Sequence, residues 1–151
     1  MTVKITRVVL WRTEVPNRPG ALDAVLEPLA HAGINLQAVI KQNVPGRPMR
    51  ASVEIIPGAG RRAGVVARAA GFSRSPTPVL LVEGANRPGL VFAVTSAIAW
   101  TGIKVRFLSA QVVGARYTAL LGFRTDDERR RAATLIRKVI QGRTPQPDRR
   151  S

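Results

Sequence analysis

Two stretches of the chain carry the same hydrophobic stripe. Leu22, Val25 and Leu29 recur 69 residues later as Val91, Val94 and Ile98. Their i, i+3, i+7 spacing lines one face of a helix. The loop ahead of the stripe repeats in the same register, as Asn17-Arg18-Pro19-Gly20 and Asn86-Arg87-Pro88-Gly89. Behind it, Gly33-Ile34 falls on Gly102-Ile103 and Leu36 on Val105. A loop, a stripe and a helix-ending glycine in one ungapped register mark two copies of a unit of about 70 residues.

The pattern around each stripe extends the unit. In copy one, Val8–Val15 predicts a strand ended by Pro16. Pro19 suits the first turn of a helix, where its missing N–H costs nothing. That helix buries Leu22, Val25, Leu26 and Leu29 and stops at Gly33, a left-handed cap. Ile34, Leu36, Ala38 and Ile40 then alternate with Asn35, Gln37, Val39 and Lys41, the period of a half-buried strand. A turn over 43–48 returns the chain as a strand over Met49–Ile56, and Gly60–Ala70 predicts a second helix with Val65, Val66 and Ala69 inward. Copy two follows the same order: strand Val79–Glu83, helix Pro88–Thr101, strand Ile103–Val113, a turn at Gly114, strand Arg116–Arg124 and helix Asp126–Ile140. The last helix opens on Asp126, Asp127 and Glu128, which complement its dipole, and Asp127 reaches Arg131 at i+4.

This order predicts an α+β chain of two tandem ferredoxin-like βαββαβ units, each an antiparallel sheet with both helices on one face. The fourth strands are expected short or missing. Only FSRSPT separates Gly71 from Pro78, so copy one's fourth strand is truncated or runs on into the next strand. After Ile140 no apolar alternation follows, so copy two's is expected to be missing, leaving a sheet edge that needs a partner. The divisions drawn are repeat one over 1–76, repeat two over 77–141, and a polar tail over 142–151 that is expected to be disordered.

Composition narrows the chemistry. The 151 residues include no Cys and one His, His31, which removes disulfides, thiol nucleophiles and Cys- or His-cluster metal sites. With 45% hydrophobic residues there is material for a core. The net charge of +15 suggests nucleic acid at first, but it divides evenly, +7 over 1–76 and +8 over 77–151. Spread in that way, it argues for solubility and non-specific attraction, and not for a site. The first dozen residues are broken by Lys4, Arg7 and Arg12, so no secretory h-region forms. The longest weakly polar run, Gly89 to Ile103, is shorter than the ~20 residues that span a bilayer. It predicts a buried helix, no membrane association and a cytoplasmic location.

The stretches VPNRPGALDAVLEPLAHAGINL and GANRPGLVFAVTSAIAWTGIKV resemble the opening half of ACT domains, the regulatory modules of amino-acid metabolism. The shared pattern is a strand, Asp/Asn-x-Pro-Gly, an amphipathic helix, and Gly-(Ile/Val)-Asn opening the next strand. The resemblance spans nearly the whole chain as two tandem units, with specific matches over 15–36 and 84–105. It implies the ferredoxin-like fold, units paired side by side through their sheets, and small effectors, often amino acids, held at the unit–unit interface. It also implies a regulatory protein without a catalytic domain. Copy two departs from the pattern where Lys104 replaces the Asn found at Asn35.

The candidate site can be argued from chemistry. A strand running through x-Pro-Gly into a helix exposes the N–H groups of Gly20, Ala21 and Leu22, and of Gly89, Leu90 and Val91. These are carboxylate donors at the positive end of a helix. Gly20 and Gly89 let a ligand approach the backbone. Asn17 and Asn86 offer donor and acceptor together, and Arg18 and Arg87 a guanidinium fork; Asn35 joins them as a ligand contact that the ACT resemblance implies. The same sequence is also simply a good loop-to-helix transition.

The remaining residues bear structural expectations. His31 is a surface or capping residue, and Trp11 and Trp100 are packing residues. Leu90, Phe92 and Trp100 leave copy two's first helix apolar all round, so it is expected to pack against another unit or a partner chain. The function expected is non-enzymatic binding of a small-molecule effector, amino acids first, by a homo-oligomer, most simply a dimer. No cofactor, metal or catalytic residue is assigned. The alternative is a nucleic-acid-binding protein using a basic ferredoxin-like surface, but RYTALLGF over Arg116–Phe123 lacks the aromatic spacing of an RNA-recognition strand. An enzyme is the weakest class, because Asp126, Asp127 and Glu128 are adjacent and cannot flank a substrate.

Overall fold

The computed structural model describes residues 3–142. Along them run β1 (Lys4–Val8), β2 (Trp11–Pro16), α1 (Ala21–His31), β3 (Leu36–Val44), β4 (Arg47–Pro57), α2 (Arg61–Ala69) and β5 (Ser73–Arg74). They continue as β6 (Val79–Ala85), α3 (Leu90–Trp100), β7 (Phe107–Val113), β8 (Arg116–Gly122) and α4 (Asp126–Ile140). The strands form two antiparallel four-stranded sheets, ordered β5-β2-β4-β3 and β1-β6-β8-β7. The repeat is preserved strand by strand: Trp11 lies opposite Ile55 as Leu80 lies opposite Leu121. The chain is thus the expected pair of ferredoxin-like units.

The fourth-strand position is solved differently in each sheet. In copy one it is β5, two residues long, pairing with Trp11 and Arg12 only. In copy two no strand follows α4 among the described residues, and the edge of β6 is covered from the other end of the chain. All five residues of β1 pair with β6, from Lys4 opposite Glu83 to Val8 opposite Val79. By its contacts the described chain therefore divides into Val9–Pro76 and a unit made of residues 3–8 with those from 77 on. Of the strand expected over Val8–Val15, Trp11–Val15 lies in β2 and Val8 alone ends β1, a strand over Lys4–Val8 that was not expected; the chain breaks at Val9 and Leu10 because the two strands belong to different sheets.

The Val9–Pro76 unit closes its helices over Trp11, Val15, Leu29, Val53, Ile55 and Phe72. α1 ends as its glycine predicts, with Gly33 N–H donating to Ala30 O and Ile34 N–H to Leu29 O, the double bond of a Schellman cap. It begins two residues later than expected: Pro19 stays in the turn, because Gly20 at φ 84 cannot be part of a right-handed helix. α2 is rotated from its expected phase. Val66 packs against the core as expected, and Ala63 and Ala67 are buried, while Val65 is 69% exposed and Ala69 exposed. The cause is Trp11, whose ring lies so close to α2 that a Cβ on Gly64 would sit 3.2 Å from it. Gly64 lets the helix approach the indole closely, and Arg68 covers its face at 5.5 Å.

The second unit packs α3 and α4 over Leu80, Val82, Tyr117, Leu121 and Phe123. β7 starts at Phe107, four residues later than the expected Ile103. α4 carries its charge differently from the i+4 expectation for Asp127 and Arg131. Asp126 instead takes Arg129 at 2.7 Å, one turn on, with Arg7 and Arg130 each at 3.9 Å. Arg129 is buried, so its guanidinium needs the nearest carboxylate. From residue 143 on, the expected tail lies outside the described residues.

Candidate functional site

The two Asn-Arg-Pro-Gly turns are built alike. Asn17 N–H donates to Met49 O and Asn86 N–H to Ala115 O, both at 2.8 Å, tying each turn to the neighbouring hairpin. Ala21 N–H folds back on Arg18 O and Leu90 N–H on Arg87 O, both at 3.3 Å. The first helical bonds follow from Ala24 to Gly20 O and from Ala93 to Gly89 O. Gly20 and Gly89 occupy the cap at φ 84 and φ 77, a left-handed conformation that L side chains rarely adopt.

Neither helix is capped by a side chain. With Ala21 and Leu90 spent inside the turns, the N–H groups of Leu22 and Asp23, and of Val91 and Phe92, are left without intrahelical acceptors. α4 shows the opposite solution: Thr125 Oγ1 accepts from Glu128 N–H at 3.1 Å, and three acidic residues stand in its first turn. α2 also lacks a side-chain cap, but two arginines open it. What sets α1 and α3 apart is the shared glycine turn, which aims free donors outward with no Cβ in front of them.

The flanking side chains diverge between copies. Asn17 spends its amide inside the unit, donating to Pro48 O at 3.1 Å and accepting from Lys41 Nζ at 3.2 Å. Asn86 is exposed and makes no such bond. Arg18 is exposed, whereas Arg87 turns back and donates to Val139 O at 3.0 Å, at the end of α4. Asn35 is exposed beyond the far end of α1, its carbonyl taken by Gly58 N–H at 2.7 Å. Leu22 is half-buried, Leu90 is in the core and Val91 is exposed.

Other expectations resolve plainly. His31 is exposed, 3.7 Å from Glu27. Trp11 packs in the core, but Trp100 does not: it is 63% exposed, and with Phe92 at 77% it leaves an uncovered apolar face on α3. The helix expected to be buried is buried on one side only, through Leu90, Val94, Ala97 and Ile98. Beside it, β7 is an edge strand without a charged residue, exposing Leu108, Val112 and Val113. Among the described residues, no helix is long and apolar enough to cross a membrane.

Sequence reasoning missed Tyr117. Its side chain is buried and its hydroxyl has no hydrogen-bond partner among the described residues. Burial pushes its pKa up, opposed by the Arg87 cation. The signal available was its place in copy two's third strand, opposite Gly84.

No protein-family model matches the sequence, and no curated protein matches it. The fold, in contrast, is shared with solved structures. A Bacteroides thetaiotaomicron protein aligns over 89% of both chains at TM-score 0.73 and 16% identity. The ligand-free regulatory subunit of aspartate kinase from Thermus thermophilus aligns over 93% of this chain and 96% of its own, at TM-score 0.64 and 18% identity. Its counterpart from Thermus flavus gives 0.64 and 17% over the same shares. The architecture of this chain is therefore similar to that of these solved structures.

Proposed function

We propose that the chain is a non-enzymatic regulatory protein that binds a small-molecule effector, amino acids first, at its Pro-Gly turns. The observation that carries this is the matched pair of uncapped helix starts, each with a left-handed glycine and at least two free N–H donors. An α-carboxylate fits such donors, and the positive helix end favours it. The neighbouring structures support a regulatory role, since two of them are regulatory subunits of aspartate kinase. Copy two leaves Asn86 free for an ammonium or carboxylate, while copy one offers Arg18. Effector binding acts by favouring whichever state of the protein holds it better.

The exposed face of α3 and the uncharged edge of β7 point to a second copy as partner. No charged residue stands between Arg87 and Lys104, so two chains of charge +15 can meet there without burying like charges. The pair is the simplest assembly that covers Phe92 and Trp100.

Thermal denaturation with each standard amino acid tests the binding. A ligand at about 100 times its Kd adds about 2.7 kcal/mol. At least one amino acid should raise the Tm of the native chain, and the G20A/G89A double variant should lose that shift. RNA binding measured at two salt concentrations runs beside it. Salt-sensitive RNA affinity with no amino-acid shift overturns this function in favour of nucleic-acid binding.

A further inference from the structure

Where α4 ends, the described start of the chain and the Asn86-Arg87 turn enclose an open cleft of about 440 Å³. Among the described residues Val3, Arg87, Arg137, Ile140, Gln141 and Gly142 line it, and none of these is acidic. Val3 and Ile140, at the margin of the core, give it an apolar wall. Arg87 is held in place by its bond to Val139 O, which uses one of the five N–H donors of the guanidinium. Arg137 is exposed and has no ion-pair partner among the described residues.

Neutralising the negative end of α4 accounts for one of these cations, Arg87. Arg137 stands in the last turn of α4, so two cations meet at this helix end on the wall of one cleft. Behind the wall lies Tyr117, 5% exposed, its buried hydroxyl without a partner among the described residues. A Cβ on Gly84 would lie 3.3 Å from both the Tyr117 hydroxyl and Val3 Cγ2, so phenol and cleft wall meet over that glycine. Tyr117 does not line the cleft, but through Val3 its ring is in position to report on what the cleft holds.

We propose that this cleft is a second ligand site, one that takes a small organic carboxylate with an apolar body. Its carboxylate bridges Arg87 and Arg137, and its hydrocarbon lies on Val3 and Ile140. The site differs in kind from the Pro-Gly turns: side-chain guanidinium groups bind the anion here, and backbone N–H groups bind it there. A ligand in the cleft also fastens β1 to α4, because Val3 leads directly into that strand.

The chain contains a single tyrosine, so ring signals from isotope-labelled Tyr117 report on this unit alone. The full chain is titrated with hexanoate at constant ionic strength, with inorganic phosphate and chloride run in parallel. Hexanoate should shift the Tyr117 signals saturably in the millimolar range, and the two inorganic ions should not. Arg137→Gln, at an exposed unpaired side chain, should keep the fold and weaken hexanoate binding tenfold or more. Arg62→Gln, on α2, should leave it unchanged. No saturable shift, an equal response to phosphate, or native affinity in Arg137→Gln each overturns the proposal. Binding at the Pro-Gly turns does not use Arg137, so a chain that responds to amino acids but not to hexanoate loses only this site, and the reverse result loses only the other.

Discussion

Gly20 and Gly89 show how much a single residue decides in this chain. Both stand at positive φ with open space where a Cβ would go, so the penalty for alanine is conformational and not a clash. Gly20→Ala and Gly89→Ala should each lower stability by about 1–2 kcal/mol, read as a lower denaturant midpoint at unchanged slope. Asp126 is the other decisive residue. Its hydrogen bond from Arg129, with the nearby cations, holds its carboxyl below the ordinary range. A carboxyl depressed in the folded state stabilises above its unfolded pKa and loses that contribution as pH falls through its folded value. Stability measured from neutral to acidic pH should therefore fall less steeply in Asp126→Asn than in the native chain. The same variant should be less stable at neutral pH, because buried Arg129 loses its acceptor. These partners were only partly legible. The acidic opening of α4 is plain in the sequence, but Asp126 was not singled out, since its contact with Arg7 needs β1 beside α4.

Among the elements, β1 carries the clearest consequence. It covers the whole length of β6 from Lys4 to Val8, whereas β5 covers two residues of β2. Deleting residues 1–8 should expose the amides of Val79–Glu83 and loosen the core of the second unit, while the Val9–Pro76 unit keeps its protection. Hydrogen exchange resolved by peptide tests this, and equal loss in both units would contradict it. The cap of α4 makes a smaller, local prediction: Thr125→Ala should cost about 1 kcal/mol, since Glu128 N–H loses its acceptor. Helices α1, α3 and α4 were legible because a stripe, a turn and an acidic opening are local signals. The α2 phase was not, because the Trp11 ring that α2 approaches at Gly64 comes from another strand.

For the whole molecule, the charge of +15 and the bare face of α3 act together. Like-charged copies repel at low salt, so association through Phe92 and Trp100 should strengthen as salt screens the charge. Solution mass should report a dimer, and Phe92→Glu with Trp100→Glu should return it to a monomer without unfolding. A native chain that is monomeric at all salt concentrations excludes the pairing. By itself the sequence determined the two-copy plan, the ferredoxin-like order of elements, and the turns that open α1 and α3, since each rests on local periodicity and on glycine stereochemistry. Only the tertiary structure decided which strand closes the second sheet, where Trp11 and Trp100 lie, and that Arg87 meets Val139 near Tyr117. Those outcomes depend on contacts between residues far apart along the chain, and no local pattern encodes which of several apolar or charged partners will be within reach.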